Sequence, residues 1–405
     1  MSRLKVDNIR HNNATSDALV LSNDGSVAIG TCTATTINST NIVNSTQLSN
    51  RNICINGADM MVAQRGTSTT GLQNTGGVYT IDRFAHRRGG TWANALWKDE
   101  QVNSGTGLFK KALKKTTTTA EGSAAGAGQY VMIGHYLEAQ DSIAAFGDGT
   151  AEAKSFTISF YVKASIATTY VLHVSTNHLS TNKAYMKQFT VNSAGTWERK
   201  TCTIPAITNS IGTVTGADTS TGLRIHWVLD APTGSQAADT WYTHSNFAFP
   251  TGVNPTGYAN TLNATFELGG VQIEAGTVAT DLEHRSYGEE FARCQRYYQQ
   301  YVNISAVGYV PNNSSRTYSH GWFFPVAMRA APTLTLTNTG STGGQYITDG
   351  QTNRYISSAL SQGATTTHMS LSFNITGDLS DYRGAYLFGT ENTQYQTTYK
   401  INAEL

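Results

Sequence analysis

The chain has 405 residues, enough for two or three domains and at least one sizeable core. Only 14% of them are charged, against about 25% in ordinary globular chains, yet the mean hydropathy is −0.30, so uncharged Thr, Ser, Asn, Gln and Gly supply the polarity. That balance excludes an all-helical protein, the 39% apolar content excludes general disorder, and a net charge of +1 gives no field that would gather nucleic acid.

Residues 1–30 hold a short apolar alternation (Leu4, Val6, Ile9), the run Ala18-Leu19-Val20-Leu21, and the turn signal Asn23-Asp24-Gly25 before Val27 and Ile29. This is too little to fold alone. The start has no apolar signal core, and no stretch approaches the length needed to span a bilayer as a helix, so neither Sec export nor membrane insertion is expected. Residues 31–55 are nearly charge-free and β-branched, with isolated Ile37, Ile42, Val43 and Leu48. One copy of such a tract cannot offset its ordering entropy; several copies wound together can share a thin core, and a flexible linker is the competing reading.

Residues 56–285 repeat a period of two. Phe156, Ile158, Phe160 and Val162 fall on one strand face and leave a polar, wet face opposite. The same spacing recurs at Tyr170, Leu172 and Val174, at Leu223, Ile225, Trp227 and Leu229, and more loosely at Phe189-Val191 and at Phe266-Leu268 with Val271-Ile273. Many short alternating strands with polar connections predict an antiparallel jelly-roll β-sandwich. Residues 286–301 break the pattern. Ser286 and Glu289 fit a capping box, and Phe291, Cys294 and Tyr298 share a helical face, which predicts one short connecting helix. Strand spacing returns in residues 302–405, at Leu334 and Leu336, at Met369, Leu371, Phe373 and Ile375, and at Tyr399, Ile401, Ala403 and Leu405, predicting a second, C-terminal β domain.

No catalytic motif is present: there is no HExxH, GxSxG or phosphate-binding loop. Cys32, Cys54, Cys202 and Cys294 are widely spread and read as free thiols, and neither a metal nor a cofactor is expected. His173 and His178, five apart, read as ordinary polar positions, and no acidic loop specifies calcium. Glu138 with Asp141, or Asp281 with Glu283, are the carboxylate pairs a glycosidase would need. Sugar binding instead uses aromatic faces against pyranose rings, and Trp92, Trp97, Trp241, Tyr242, Tyr318 and Trp322 lie outside the apolar alternation. Core packing competes for each Trp, and Trp197 and Trp227 read as structural. The run Lys110, Lys111, Lys114 and Lys115, with Arg87 and Arg88, is either a solvated face or an attraction for anionic lipopolysaccharide. As a strand it sets Lys111, Leu113 and Lys115 on one side.

Several blocks carry a resemblance. Asn52-Ile53-Cys54-Ile55-Asn56-Gly57, Val62-Ala63-Gln64-Arg65-Gly66-Thr67-Ser68 and Tyr79-Thr80-Ile81-Asp82-Arg83-Phe84 come first. They are followed by Gly270-Val271-Gln272-Ile273-Glu274-Ala275-Gly276-Thr277-Val278-Ala279-Thr280 and Arg285-Ser286-Tyr287-Gly288-Glu289-Glu290 through Cys294-Gln295-Arg296-Tyr297-Tyr298, then Phe324-Pro325-Val326-Ala327-Met328-Arg329-Ala330-Ala331-Pro332-Thr333. In this order they resemble tail fibre proteins of marine and other tailed bacteriophages, and Leu4-Lys5-Val6-Asp7-Asn8-Ile9 looks like the virion-anchoring starts of such fibres. The resemblance implies a homotrimer made in the host cytoplasm and carried on the virion. Residues 1–30 would seat on the tail, baseplate or an adaptor, 31–55 would form an intertwined shaft, and the β domains would touch host surface glycan, the middle one being similar to carbohydrate-binding modules. It implies a binding protein and not an enzyme, with a fibre-borne polysaccharide depolymerase and a purely structural virion protein as the competing readings.

Overall fold

The computed structural model describes residues 8–9, 19–21, 27–28 and 52–405, except 75, 233, 235–237, 245–256, 303, 305, 310–315, 338–345, 349–351, 378–383 and 389–396. The chain divides into two units, residues 1–48 and residues 49–405. In the first, β1 (Asn8–Ile9), β2 (Leu19–Leu21) and β3 (Val27–Ala28) form a small antiparallel meander, pairing Ile9 with Leu19 and Leu21 with Val27. The charge-free tract from residue 31 lies outside the described residues up to 51. Residues 52–55, expected to end a shaft, belong to the second unit: Asn52 bonds to Val271 and Ile273, and Cys54 is buried in the core.

The second unit begins with β4 (Ser68–Leu72), β5 (Val78–Ile81), β6 (Phe84–Gly89), β7 (Leu96–Asn103), β8 (Lys111–Thr119), β9 (Tyr130–Glu138) and helix α1 (Ala139–Phe146). It continues through β10 (Phe156–Ala164), β11 (Thr169–Thr176), β12 (Lys183–Thr190), β13 (Glu198–Ile204), β14 (Thr221–Asp230), β15 (Tyr242–Thr243) and β16 (Thr265–Ala275). These build two antiparallel sheets. One is six-stranded in the order β13-β10-β16-β8-β7-β4, the other seven-stranded in the order β15-β12-β11-β14-β9-β6-β5. The chain crosses repeatedly between them, as a jelly-roll sandwich requires.

The expected apolar faces meet in one core. Phe156, Ile158, Phe160 and Val162 on β10 are fully buried against Leu223, Ile225, Trp227 and Leu229 on β14, with Phe160 edge-on to Trp227 at 5.7 Å. The opposite side of β10 is dry only at Thr157 and Ser159, while Tyr161 and Lys163 stay half-exposed. Thr157 and Ser159 are buried because residues 276–281 fold back over it: Thr157 donates to the Gly276 carbonyl, and neighbouring Gln272 donates to Thr280 and the Asp281 carbonyl. Phe266-Leu268 and Val271-Ile273 are one strand, β16, whose spacing slips by one residue at Gly269-Gly270. Gly270 takes φ 56°, and the register against β10 shifts there, so both apolar pairs still face inward.

Helix α1 was not foreseen. It is eight residues long, has no side-chain N-cap, and stops at Gly147 with φ 69°. Gly222 lets it lie on β14, since a Cβ there would stand 2.6 Å from the Ala139 Cα. The connecting helix α2 (Tyr287–Gln295) forms as expected, with Ser286 accepting from the Glu289 amide, but it ends before Tyr298.

The chain then enters β17 (Tyr298–Val302), β18 (Ala306–Tyr309), β19 (Arg316–Phe323), β20 (Thr333–Thr337), β21 (Tyr346–Thr348), β22 (Asn353–Gln362), β23 (His368–Ile375), β24 (Gly384–Phe388) and β25 (Thr398–Asn402). Six of them close a barrel, β18-β19-β23-β22-β21-β24, beside a three-stranded sheet β17-β25-β20. Met369, Leu371, Phe373 and Ile375 of β23 and Tyr399 and Ile401 of β25 fill its core. Arg296 holds this part to the sandwich by a two-pronged contact with Glu138 at 2.8 Å, and Tyr297 donates to the same carboxylate at 2.7 Å.

Candidate functional site

The outer face of the seven-stranded sheet gathers polar and aromatic side chains. Because neighbours in register share a face, one row runs Tyr79, Ala85, Gly134, His226, His173, Met186 across six paired strands. The next runs Arg87, Met132, Val228, Val171, Gln188. A third runs Tyr136, Arg224, Ser175, Ala184, Tyr242. Met132, Val171, Met186 and Val228 form an apolar floor closed to solvent. Arg87, Tyr130, Arg224, Tyr242 and His244 stand half-exposed around it, with Gln188 exposed at one edge.

The groups are mutually placed. The Arg87 guanidinium lies 5.7 Å from the centre of the Tyr136 ring, and the Tyr136 hydroxyl is 3.4 Å from His226 Nε2. His173 sits between His226 and His244, ring centres 5.6 and 5.5 Å away. Gly134 makes room for this: a Cβ there would stand 2.9 Å from the Tyr136 hydroxyl, 3.1 Å from Arg87 Cγ and 3.2 Å from His226 Cδ2. The Tyr130 ring lies across Gly89 in the same way.

Burial sets the electrostatics. It pushes His173 down to about 3, helped by His244 and Arg224, and holds His226 well below the ordinary imidazole value. Both rings are therefore neutral. Burial raises Tyr136 to about 12 and lowers Arg224 from its usual value, which leaves the phenol protonated and the guanidinium charged. The rim thus presents the half-exposed Arg87 and Arg224 guanidiniums and the Tyr130 and Tyr242 rings, above neutral imidazoles that are themselves buried. That set can bind a polyhydroxylated or acidic ligand, and it holds no nucleophile activated by a base.

Of the expected glycan residues, only Tyr242 reaches this face. Trp92 and Trp97 are in the core, edge-to-face at 5.3 Å, and cannot meet a sugar. Trp241 packs on the other side against Tyr185 at 5.2 Å. Trp322 is wedged between Tyr301 and Tyr399 in the C-terminal core. Tyr318 lies on β19, its side chain outside the described residues.

The basic run does not form one patch. Lys115 points into the sandwich and is fully buried, because β8 faces the core at Leu113, Lys115 and Thr117. Lys110 is exposed, Lys111 donates to Asn103, and Lys114 is registered between Glu100 and Glu267. Arg87 joins the sheet face above, whereas Arg88 bonds to the carbonyls of Gly90 and Asn74.

Of the carboxylates considered for hydrolysis, Glu138 holds Arg296 and Tyr297 and Glu283 accepts from the Asn52 amide, whereas Asp141 and Asp281 are exposed. Cys54, Cys202 and Cys294 are free and buried, and among the described residues no group of His, Cys, Asp and Glu could hold a metal. The sheet face was missed because attention went to the apolar half of each alternation. The signal was the other half, Tyr130-x-Met132-x-Gly134-x-Tyr136 and Arg224-x-His226-x-Val228.

No family model matches the chain, and no curated protein matches it. Solved structures similar to it include the family 11 carbohydrate-binding module of the cellulosomal cellulase Lic26A-Cel5E of Clostridium thermocellum, at 16% identity, covering 55% of this chain and 99% of that one, with a TM-score of 0.26. The family 11 module from the same organism in complex with a β-1,3-1,4-mixed-linked tetrasaccharide covers 54% of this chain and 99% of its own at 16% identity and a TM-score of 0.26. A structure described as CBM4 covers 55% and 98% at 14% identity and 0.24.

Proposed function

We infer that this chain is a non-enzymatic glycan-binding protein, working as the receptor-binding fibre of a tailed phage. The observation that carries the glycan reading is the sheet face on which Arg87, Tyr130, Arg224 and Tyr242 rim a floor of Met132, Val171, Met186 and Val228. The aromatic rings stack on sugar rings, each contact contributing roughly 1 kcal/mol, while guanidinium and hydroxyl groups bond to sugar hydroxyls. Two guanidiniums on one face favour glycans bearing carboxylate or phosphate, as bacterial surface polysaccharide and lipopolysaccharide do. The fibre role is supported by the motif blocks from Asn52 to Thr333. It places the protein in the virion as a homotrimer anchored by residues 1–30, so that weak sites gain avidity from repetition.

The test applies the purified full chain to a bacterial glycan array and to labelled host cells, with native mass measured in parallel. Binding that Arg87→Ala with Tyr130→Ala abolishes supports the site. A chain that binds no glycan and no cell, or a double variant that binds equally well, overturns it, and a monomeric native mass overturns the fibre.

A further inference from the structure

The core of the sandwich contains a lysine. Asp99 of β7 and Lys115 of β8 lie directly opposite one another in register, and both point inward, between Trp97 and Leu113 on their own strands. Lys115 is wholly buried and Asp99 is 1% exposed. The Lys115 ammonium group touches Asp99 Oδ1, and from the other sheet His86 of β6 brings its Nδ1 to 2.8 Å from Lys115 Nζ. His86 is itself buried, 5.7 Å from the Trp97 ring, and its Nε2 meets no partner among the described residues. The cluster thus bridges the two sheets with an amine, a carboxyl and an imidazole, sealed from water.

A charged pair here is costly, because desolvating two ions in an apolar core offsets most of their attraction. Burial drives both groups toward neutrality, raising Asp99 and lowering Lys115, while His86 is kept neutral by burial and by Lys115. Passing one proton from the amine to the adjoining carboxylate leaves a neutral amine against a protonated carboxyl beside an imidazole, the pair from which an amide forms, and proximity supplies much of what that reaction lacks in water.

We propose that Lys115 and Asp99 become joined by a side-chain amide, an isopeptide bond that forms inside the folded sandwich with His86 carrying the proton. The Nζ lone pair attacks Asp99 Cγ, and the carbonyl electrons move onto oxygen. Nζ passes a proton to His86 Nδ1, which returns it to the carboxyl oxygen. The tetrahedral centre collapses, the C–O bond breaks, and one water leaves. Amine plus carboxylic acid gives amide plus water, with no oxidant or co-reactant. The product replaces a desolvated amine and carboxyl by a single neutral amide and locks β7 to β8.

The test is the mass of the intact full chain under denaturing conditions, which is expected to fall short of the sequence mass by one water. Tryptic digestion locates the loss: residues 99–110 and residues 115–154 leave as one branched species, because trypsin does not cut after an acylated Lys115. An intact mass equal to the sequence overturns the proposal, and this outcome needs no variant. A water loss confined to the Asp99 peptide, the mark of a succinimide, also overturns it. His86→Gln keeps the amine and carboxyl together and is expected to show the full, unshifted mass while still folding; a fully cross-linked His86→Gln protein removes His86 from the step.

Discussion

Arg83 and Glu404, 321 positions apart, form an ion pair in which the guanidinium is entirely buried. Arg83 also donates to the Tyr136 carbonyl at 2.6 Å and lies over the Tyr297 ring at 3.5 Å from its centre. It occupies the turn between β5 and β6 at φ 72°, a conformation that a non-glycine residue adopts only when its surroundings hold it there. Glu404 also meets Arg65, which pairs with Asp82 and stacks over Tyr298. The last strand of the chain is thereby clamped to β9, the strand that carries Tyr130, Met132 and Tyr136 of the candidate site.

Arg83→Ala leaves Glu404 and the Tyr136 carbonyl without their buried partner. Removing one member of a buried pair costs about 3–5 kcal/mol, so the variant is expected to unfold at markedly lower urea concentration. Loss of the clamp should also split unfolding into separate sandwich and C-terminal transitions. Tryptophan fluorescence against far-ultraviolet dichroism reads this, and coincident, unshifted curves would show that the clamp contributes nothing.

The buried imidazoles make stability depend on acid. His173 titrates near 6.5 when unfolded and is pushed down to about 3 when folded, so between those values the unfolded chain binds the extra proton. Stability from this group is complete above about pH 6.5 and is lost as pH falls toward 3, at about 1.4 kcal/mol per pH unit for each such group. His226, shifted the same way, adds to the slope. Urea midpoints measured from pH 7 to pH 4 should fall, and His173→Asn should flatten the fall. A midpoint independent of pH rejects the burial of these rings.

How much of this was legible depended on which force placed each residue. The apolar alternations of β10, β14 and β23 were readable because burial of one strand face is a local, period-two signal. Ser286 and Glu289 were readable because capping is local too. Thr157 and Ser159 were misjudged because their cover comes from residues 276–281, more than a hundred positions away. Lys115 looked solvated since its partner Asp99 is sixteen residues off and His86 sits on another sheet. Trp92 and Trp97 escaped the core alternation because Trp92 lies in the irregular segment before β7 and Trp97 at the start of β7, yet the fold packs them against each other. The candidate site is built from rows across five or six strands, and a row is invisible until register is known.

Gly270 is the point where β16 corrects its phase. At φ 56° with a virtual Cβ 2.7 Å from Tyr161 and 3.2 Å from Phe109, alanine there meets both backbone strain and ring atoms. Gly270→Ala is expected to cost about 1–3 kcal/mol, read as a lower urea midpoint with the slope of the transition unchanged. Wild-type stability in this variant would mean that the bulge is not needed to keep Phe266, Leu268, Val271 and Ile273 on one face.

Gly134 separates the candidate site from the fold that carries it. Its φ is not positive, so alanine is conformationally allowed, and restriction of the unfolded state offsets part of the cost of its new contacts. The added methyl group nevertheless meets the Tyr136 hydroxyl, Arg87 Cγ and His226 Cδ2 at 2.9, 3.1 and 3.2 Å. All three belong to side chains, so the floor survives while Arg87 and Tyr136 are displaced outward. Displacing one guanidinium contact worth about 1 kcal/mol weakens affinity roughly fivefold. Calorimetric titration of Gly134→Ala with the array-selected glycan should therefore show a several-fold weaker Kd beside a melting temperature lowered only slightly. Equal affinity for variant and wild type would move the binding site off this face.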